Sequence, residues 1–80
     1  RPIWETDPLD TIRVFAGDEP AILMGRRPEI RRFVALLENP PFAGMGVSVV
    51  AIGGGNGKYA YAFNRAYVDR FGAPAGEPLD

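Results

Sequence analysis

The stretch VSVVAIGGGNGKYAYAF, residues 47–63, decides the fold. Val47 to Ile52 is dense in β-branched side chains, and Tyr59 to Phe63 alternates large with small at period two, so both read as strands. Between them lies Asn56-Gly57, the residue pair that supplies the positive φ angles of a two-residue type I′ turn. A turn there fixes the pairing, with Gly55 opposite Lys58, Gly54 opposite Tyr59, Ile52 opposite Tyr61 and Val50 opposite Phe63. Tyr59, Tyr61 and Phe63 then share one face with Val50 and Ile52. Ala60 and Ala62 share the other with Ala51 and Gly53, a smooth surface on which a helix can lie close. Tyr59 is expected to shield the bare backbone of Gly54.

The same glycines admit a second reading. A strand followed by a Gly-rich loop and a helix can cradle phosphate with its backbone N–H groups, which would give Gly53, Gly54, Gly55, Gly57 and Lys58 a phosphate- or nucleotide-binding role. Tyr59, Phe63, Tyr67 and Phe71 recur every four residues, as one stripe of a long helix would. The phosphate-binding motifs themselves fit poorly. In a G-x-x-x-x-G-K frame Ile52 occupies the first glycine and Tyr59 the metal-binding hydroxyl position, and in a G-x-G-x-x-G frame Lys58 replaces the third glycine. A tight turn at Asn56-Gly57 makes the glycines hairpin architecture, and attention moves to the aromatic face.

Working outward, Gly17-Asp18-Glu19-Pro20 is a turn cluster between two short apolar segments. Thr11 to Ala16 places Ile12, Val14 and Ala16 on one face at strand period, and Ala21 to Met24 is an apolar run ended by Gly25, so together they are expected to form a first hairpin. Residues 1–10, with two prolines and three carboxylates, read as an extended entry segment anchored by Trp4. Pro28 suits the first turn of a helix, and Ile30, Phe33, Val34 and Leu37 follow at helical spacing until Asn39-Pro40-Pro41 stops it, predicting a helix over Pro28–Glu38. Residues 42–46 read as a flexible connection. Residues 64–72 are either a short helix capped by Asn64 and closed by Gly72, the reading favoured here, or a continuation of the strand through Val68. Residues 73–80 read as a mobile tail.

The expected fold is therefore α+β, a single domain of order β-β-α-β-β with two antiparallel hairpins and one covering helix. With 46% hydrophobic and 24% charged residues in 80, the composition is that of a folded chain with a shallow core. The chain has no cysteine and no histidine, one lysine (Lys58), one serine (Ser48) and two threonines (Thr6, Thr11). A Ser-His or Cys-His pair cannot be assembled from it, and neither a cofactor, a metal nor catalysis is expected. The absence of cysteine leaves the redox compartment unreadable, no apolar run has membrane-spanning length, and the expectation is a cytoplasmic protein. The opening Arg1-Pro2-Ile3-Trp4 reads as that of a trimmed chain, in which any targeting sequence would be invisible. A net charge of −1 argues against nucleic acid as partner.

Two features remain as candidate binding surfaces. Arg26, Arg27, Arg31 and Arg32 surround one helix start with only Glu29 among them, where cations oppose the helix dipole and an anionic or acidic partner would relieve them. The plainer reading is a solvated helix face, with Arg31 and Arg32 paired to Glu29, Asp18 or Glu19. Tyr59, Tyr61, Phe63 and Tyr67 form an aromatic surface. It is either a second small core roofed by Trp4 and the C-terminal segment, or a patch for another protein or a second copy of the chain. The functional expectation is a small non-enzymatic protein-interaction module, a regulator, inhibitor or accessory subunit, using both features. The acidic residues of the first quarter have no spacing that defines a metal or acid–base site, and solubility is their expected role.

Overall fold

A computed structural model describes residues 8–79, so Trp4 and the rest of residues 1–7 lie outside the described residues. The class is α+β: the described residues form three α-helices and a three-stranded antiparallel sheet. In chain order the elements are α1 (Pro8–Ala16), β1 (Ile22–Arg26), α2 (Arg27–Leu37), β2 (Val49–Gly54), β3 (Tyr59–Asn64) and α3 (Arg65–Phe71). The strands lie in the order β1-β3-β2, both neighbours antiparallel to β3. None of the helices among the described residues is long and apolar enough to cross a membrane.

The β2–β3 hairpin forms in the expected register, with Gly54 opposite Tyr59, Ile52 opposite Tyr61 and Val50 opposite Phe63. Asn56 (φ 57°) and Gly57 (φ 85°) both sit in the left-handed region, as a type I′ turn demands. The strand–loop–helix alternative is thereby replaced by strand–turn–strand. Ala60 and Ala62 are fully buried beneath α2, whose Ile30, Phe33 and Leu37 point into the core. Methyl-sized side chains on the sheet are what let the larger residues of the helix fill that layer.

The first hairpin does not form, and the observed order is α-β-α-β-β-α. Thr11–Ala16 is the greater part of α1, which buries Thr11, Ile12 and Phe15 and leaves Val14 49% exposed. The buried spacing is three to four, not two, so the segment obeys a helical period that six residues alone do not separate from a strand. Pro8 and Asp10, expected in the entry segment, instead occupy the first turn, where proline lacks only an unneeded N–H and aspartate suits the dipole. Phe15 then meets Phe33 edge to face at 5.1 Å, a contact between α1 and α2 that a strand could not make in this place. Deprived of that partner, β1 pairs with the second side of β3, Leu23 opposite Ala62 and Gly25 opposite Ala60.

Two further expectations change. Residues 42–46 are not a free connection: Phe42–Met45 forms a 3-10 turn closed by Gly46 at φ 70°, and Phe42 packs against the core. Of residues 73–80, expected as a mobile tail, 77–79 run along the outer edge of β2, where Gly53 N–H donates to Glu77 O at 2.9 Å and Leu79 N–H to Ala51 O at 3.0 Å, while residue 80 lies outside the described residues. The short final helix is present as α3, capped by Asn64, whose side chain accepts the Tyr67 N–H at 3.0 Å.

Candidate functional site

Arginines at the start of α2 separate into different environments. Arg26 is the residue before the helix, and its N–H donates to the Glu29 carboxylate at 3.0 Å, so this one acidic side chain serves as a cap. Arg27 turns inward. Its N–H donates to Lys58 O at 3.2 Å, joining the helix start to the hairpin, and its guanidinium lies directly over Gly53, where an added Cβ would collide with it. The buried Nε of Arg27 has no hydrogen-bond partner among the described residues. Arg26, Arg31 and Arg32 remain at the surface. The expected pairing of Arg32 with Glu29, Asp18 or Glu19 does not occur, since neither Arg26 nor Arg32 forms an ion pair among the described residues.

Two of the glycines are already engaged within the fold. The Gly53 N–H is already donated to Glu77 O, and Gly54 lies under the ring of Tyr61, 2.7 Å from where a Cβ would sit. The ring that covers Gly54 is thus Tyr61 and not its cross-strand neighbour Tyr59. An aromatic ring reaching diagonally over a bare backbone explains how a run of glycines survives in a strand. Gly55 opens the turn, while Gly57 and Lys58 are exposed at its tip.

The aromatic face is divided. Phe63 is only 7% exposed, covered by Tyr67 of α3 at 4.8 Å, and Tyr67 in turn stacks on Phe71 at 5.0 Å. Phe63 therefore belongs to the roofed part and is withdrawn from the candidate contact residues. Gly76 packs on Ile52 and covers a second part. What stays open is the part over β1: Ile22 and Met24 are each 49% exposed and Tyr59 41%, with half-buried Tyr61 between them. Ile22 and Met24 were not among the residues expected to bind, because a four-residue apolar run does not announce which of its members a sheet edge will leave uncovered.

Beside β1 and α2 lies an open groove of about 480 Å³, with Leu23, Ile30, Phe33 and Leu36 as its apolar wall and Arg26, Arg32 and Glu29 as its charged groups. A second open cleft of about 570 Å³, between the end of α1 and α3, is polar and includes Asp18, Arg65, Asp69 and Arg70. Arg65 there pairs with Asp69 at 3.6 Å. Among the described residues no cluster of acidic side chains could hold a metal. No protein-family model, curated protein or solved structure matches the chain.

Proposed function

We propose that this chain is a non-enzymatic protein-interaction domain that binds through the open part of its sheet face together with the arginines that begin α2. The observation that carries the reading is the half-exposed row Ile22, Met24 and Tyr59 beside Arg26, apolar surface left uncovered while the opposite sheet face buries Leu23, Ala60 and Ala62. Large apolar side chains next to arginine are the usual anchors of a protein interface. A partner carrying acidic groups fits better than a second copy, because a two-fold contact would gather the arginines of both chains into one interface.

The test compares proteins retained from the source cells by the immobilised native chain, by a Met24→Glu/Tyr59→Glu variant, and by a Val14→Glu variant altered on α1. A partner held by the native chain and the α1 variant but lost from the sheet-face variant is the expected result. The same set of proteins on all three overturns the proposal. Light scattering across a concentration series that gave a dimer abolished by the sheet-face changes would replace the acidic partner with a second copy.

A further inference from the structure

The two outer edges of the sheet are not equivalent. Along β2 the chain closes its own edge, with Gly53 and Ala51 hydrogen-bonded to Glu77 and Leu79 and a bridge between Ile52 and Pro78. Along β1 nothing among the described residues does so. The Asn64 N–H donates to Ala21 O and the Arg27 N–H to Lys58 O, which brackets β1 and sets its parity. Leu23 and Gly25 therefore turn their backbone groups to β3, and Ile22, Met24 and Arg26 turn theirs outward. Of these outward groups the Arg26 N–H is taken by Glu29, and the Arg26 C=O, at the cap of α2, belongs to the helix. The N–H and C=O of Ile22 and Met24 form an open ladder, the kind of edge that proteins ordinarily cover or blunt.

That ladder runs beside the apolar groove bounded by Leu23, Ile30, Phe33 and Leu36. A strand the length of β1 spans about 17 Å, enough for five residues of an added chain. Resting on the reading of the chain as a protein-interaction domain, we infer that β1 takes up an extended segment of a partner protein as a fourth strand. The segment carries alternate apolar side chains that enter the groove and acidic residues that meet Arg26 and Arg32. Backbone pairing supplies affinity, and the alternate side chains supply choice of partner. The acidic character follows from the two arginines at the groove margin, whose guanidinium groups form no ion pair among the described residues, against one carboxylate, Glu29, that is already engaged by the Arg26 N–H. A second β1 would bring the same arginines with it.

The experiment selects binders to the full chain from a displayed library of random ten-residue peptides, then measures one enriched peptide by titration and by amide exchange. Enrichment of sequences alternating apolar with acidic residues is expected, with the Ile22 and Met24 amides exchanging freely in the free chain and slowed in the complex. Met24→Pro removes an outward N–H without touching the β1–β3 ladder, and the loss of the edge bond is expected to weaken binding about tenfold. Arg32→Glu is expected to weaken it by a similar factor. If Met24→Pro unfolds the chain, methylation of alternate peptide amides, tested on the native protein, must give the same loss.

Slow exchange of Met24 in the free chain, enrichment of basic peptides, or binding indifferent to amide methylation overturns the inference. Peptides that bind with the edge altered but not with Tyr59→Ala reject strand addition and leave the sheet-face reading standing. A selection that enriches nothing overturns strand addition, and the sheet-face reading is then decided by the retention experiment alone.

Discussion

Replacing Asn64 should cost more than any helix cap ordinarily would, because its side chain does two jobs. It is fully buried, and its Oδ1 accepts both the Tyr67 N–H at 3.0 Å, capping α3, and the Ala21 N–H at 2.9 Å, holding the entrance to β1. Its Nδ2 donates to Glu19 O at 2.9 Å and, more weakly, to Phe15 O at 3.4 Å, tying down the turn after α1. In Asn64→Ala the lost cap is worth about 1 kcal/mol. The stranded Ala21 N–H and Glu19 carbonyl add about 1 kcal/mol or more each, for a total of about 3 kcal/mol. For a domain of this size that lowers the melting temperature by about 12–24 °C.

Asn64→Asp separates the two jobs. Aspartate caps a helix as well as asparagine does, so a mere cap would tolerate the change. Here the new carboxylate would face the Phe15 and Glu19 carbonyl oxygens in a buried site, which disfavours its charged form and raises its folded pKa above the unfolded value. The sign follows: the electrostatic penalty is absent below the unfolded pKa and grows as pH rises toward the folded one. Urea unfolding followed by circular dichroism at pH 4 and pH 7 should show Asn64→Asp closer to the native chain at the lower pH, while the Asn64→Ala deficit stays constant. An Asn64→Asp stability within about 0.5 kcal/mol of native at pH 7 would refute the second job and leave only a cap.

At the hairpin, Gly57 sits at φ 85°, so Gly57→Ala should destabilise by about 1–2 kcal/mol, whereas Asn56→Gly, also at positive φ, should stay within about 0.5 kcal/mol; urea midpoints compare them. Ala62 is completely enclosed between the sheet and α2, so Ala62→Leu should cost about 1–3 kcal/mol by overpacking, read as a lower thermal midpoint. An unchanged midpoint would mean that the layer between α2 and β3 is not closely packed.

Where neighbours in the chain are neighbours in space, the fold was legible. Asn56-Gly57 fixed the β2–β3 register because a two-residue turn leaves no other pairing, and the small–large alternation of Tyr59 to Phe63 told which face would take a helix. Pro28 and the spacing of Ile30, Phe33 and Leu37 placed α2 within a residue at each end. The candidate site was legible in part. Arg26, Arg32 and Tyr59 lie at one open surface, but Phe63 disappears under Tyr67, Arg27 folds over Gly53, and Ile22 and Met24 emerge instead.

By itself, the sequence determined two local units, one tight hairpin and one amphipathic helix, and favoured a third, the short capped helix at the end, each through turn chemistry and hydrophobic period within a dozen residues. Tertiary structure decided what those periods left open. Thr11–Ala16 satisfies both a strand and a helix pattern, and the contact of Phe15 with Phe33, eighteen positions apart, selects the helix. That choice sends β1 to the far side of β3, leaves its outer backbone uncovered, and gives Asn64 partners more than forty residues earlier in the chain. The open edge is a product of strand order, and strand order is set by long-range packing that no single segment encodes.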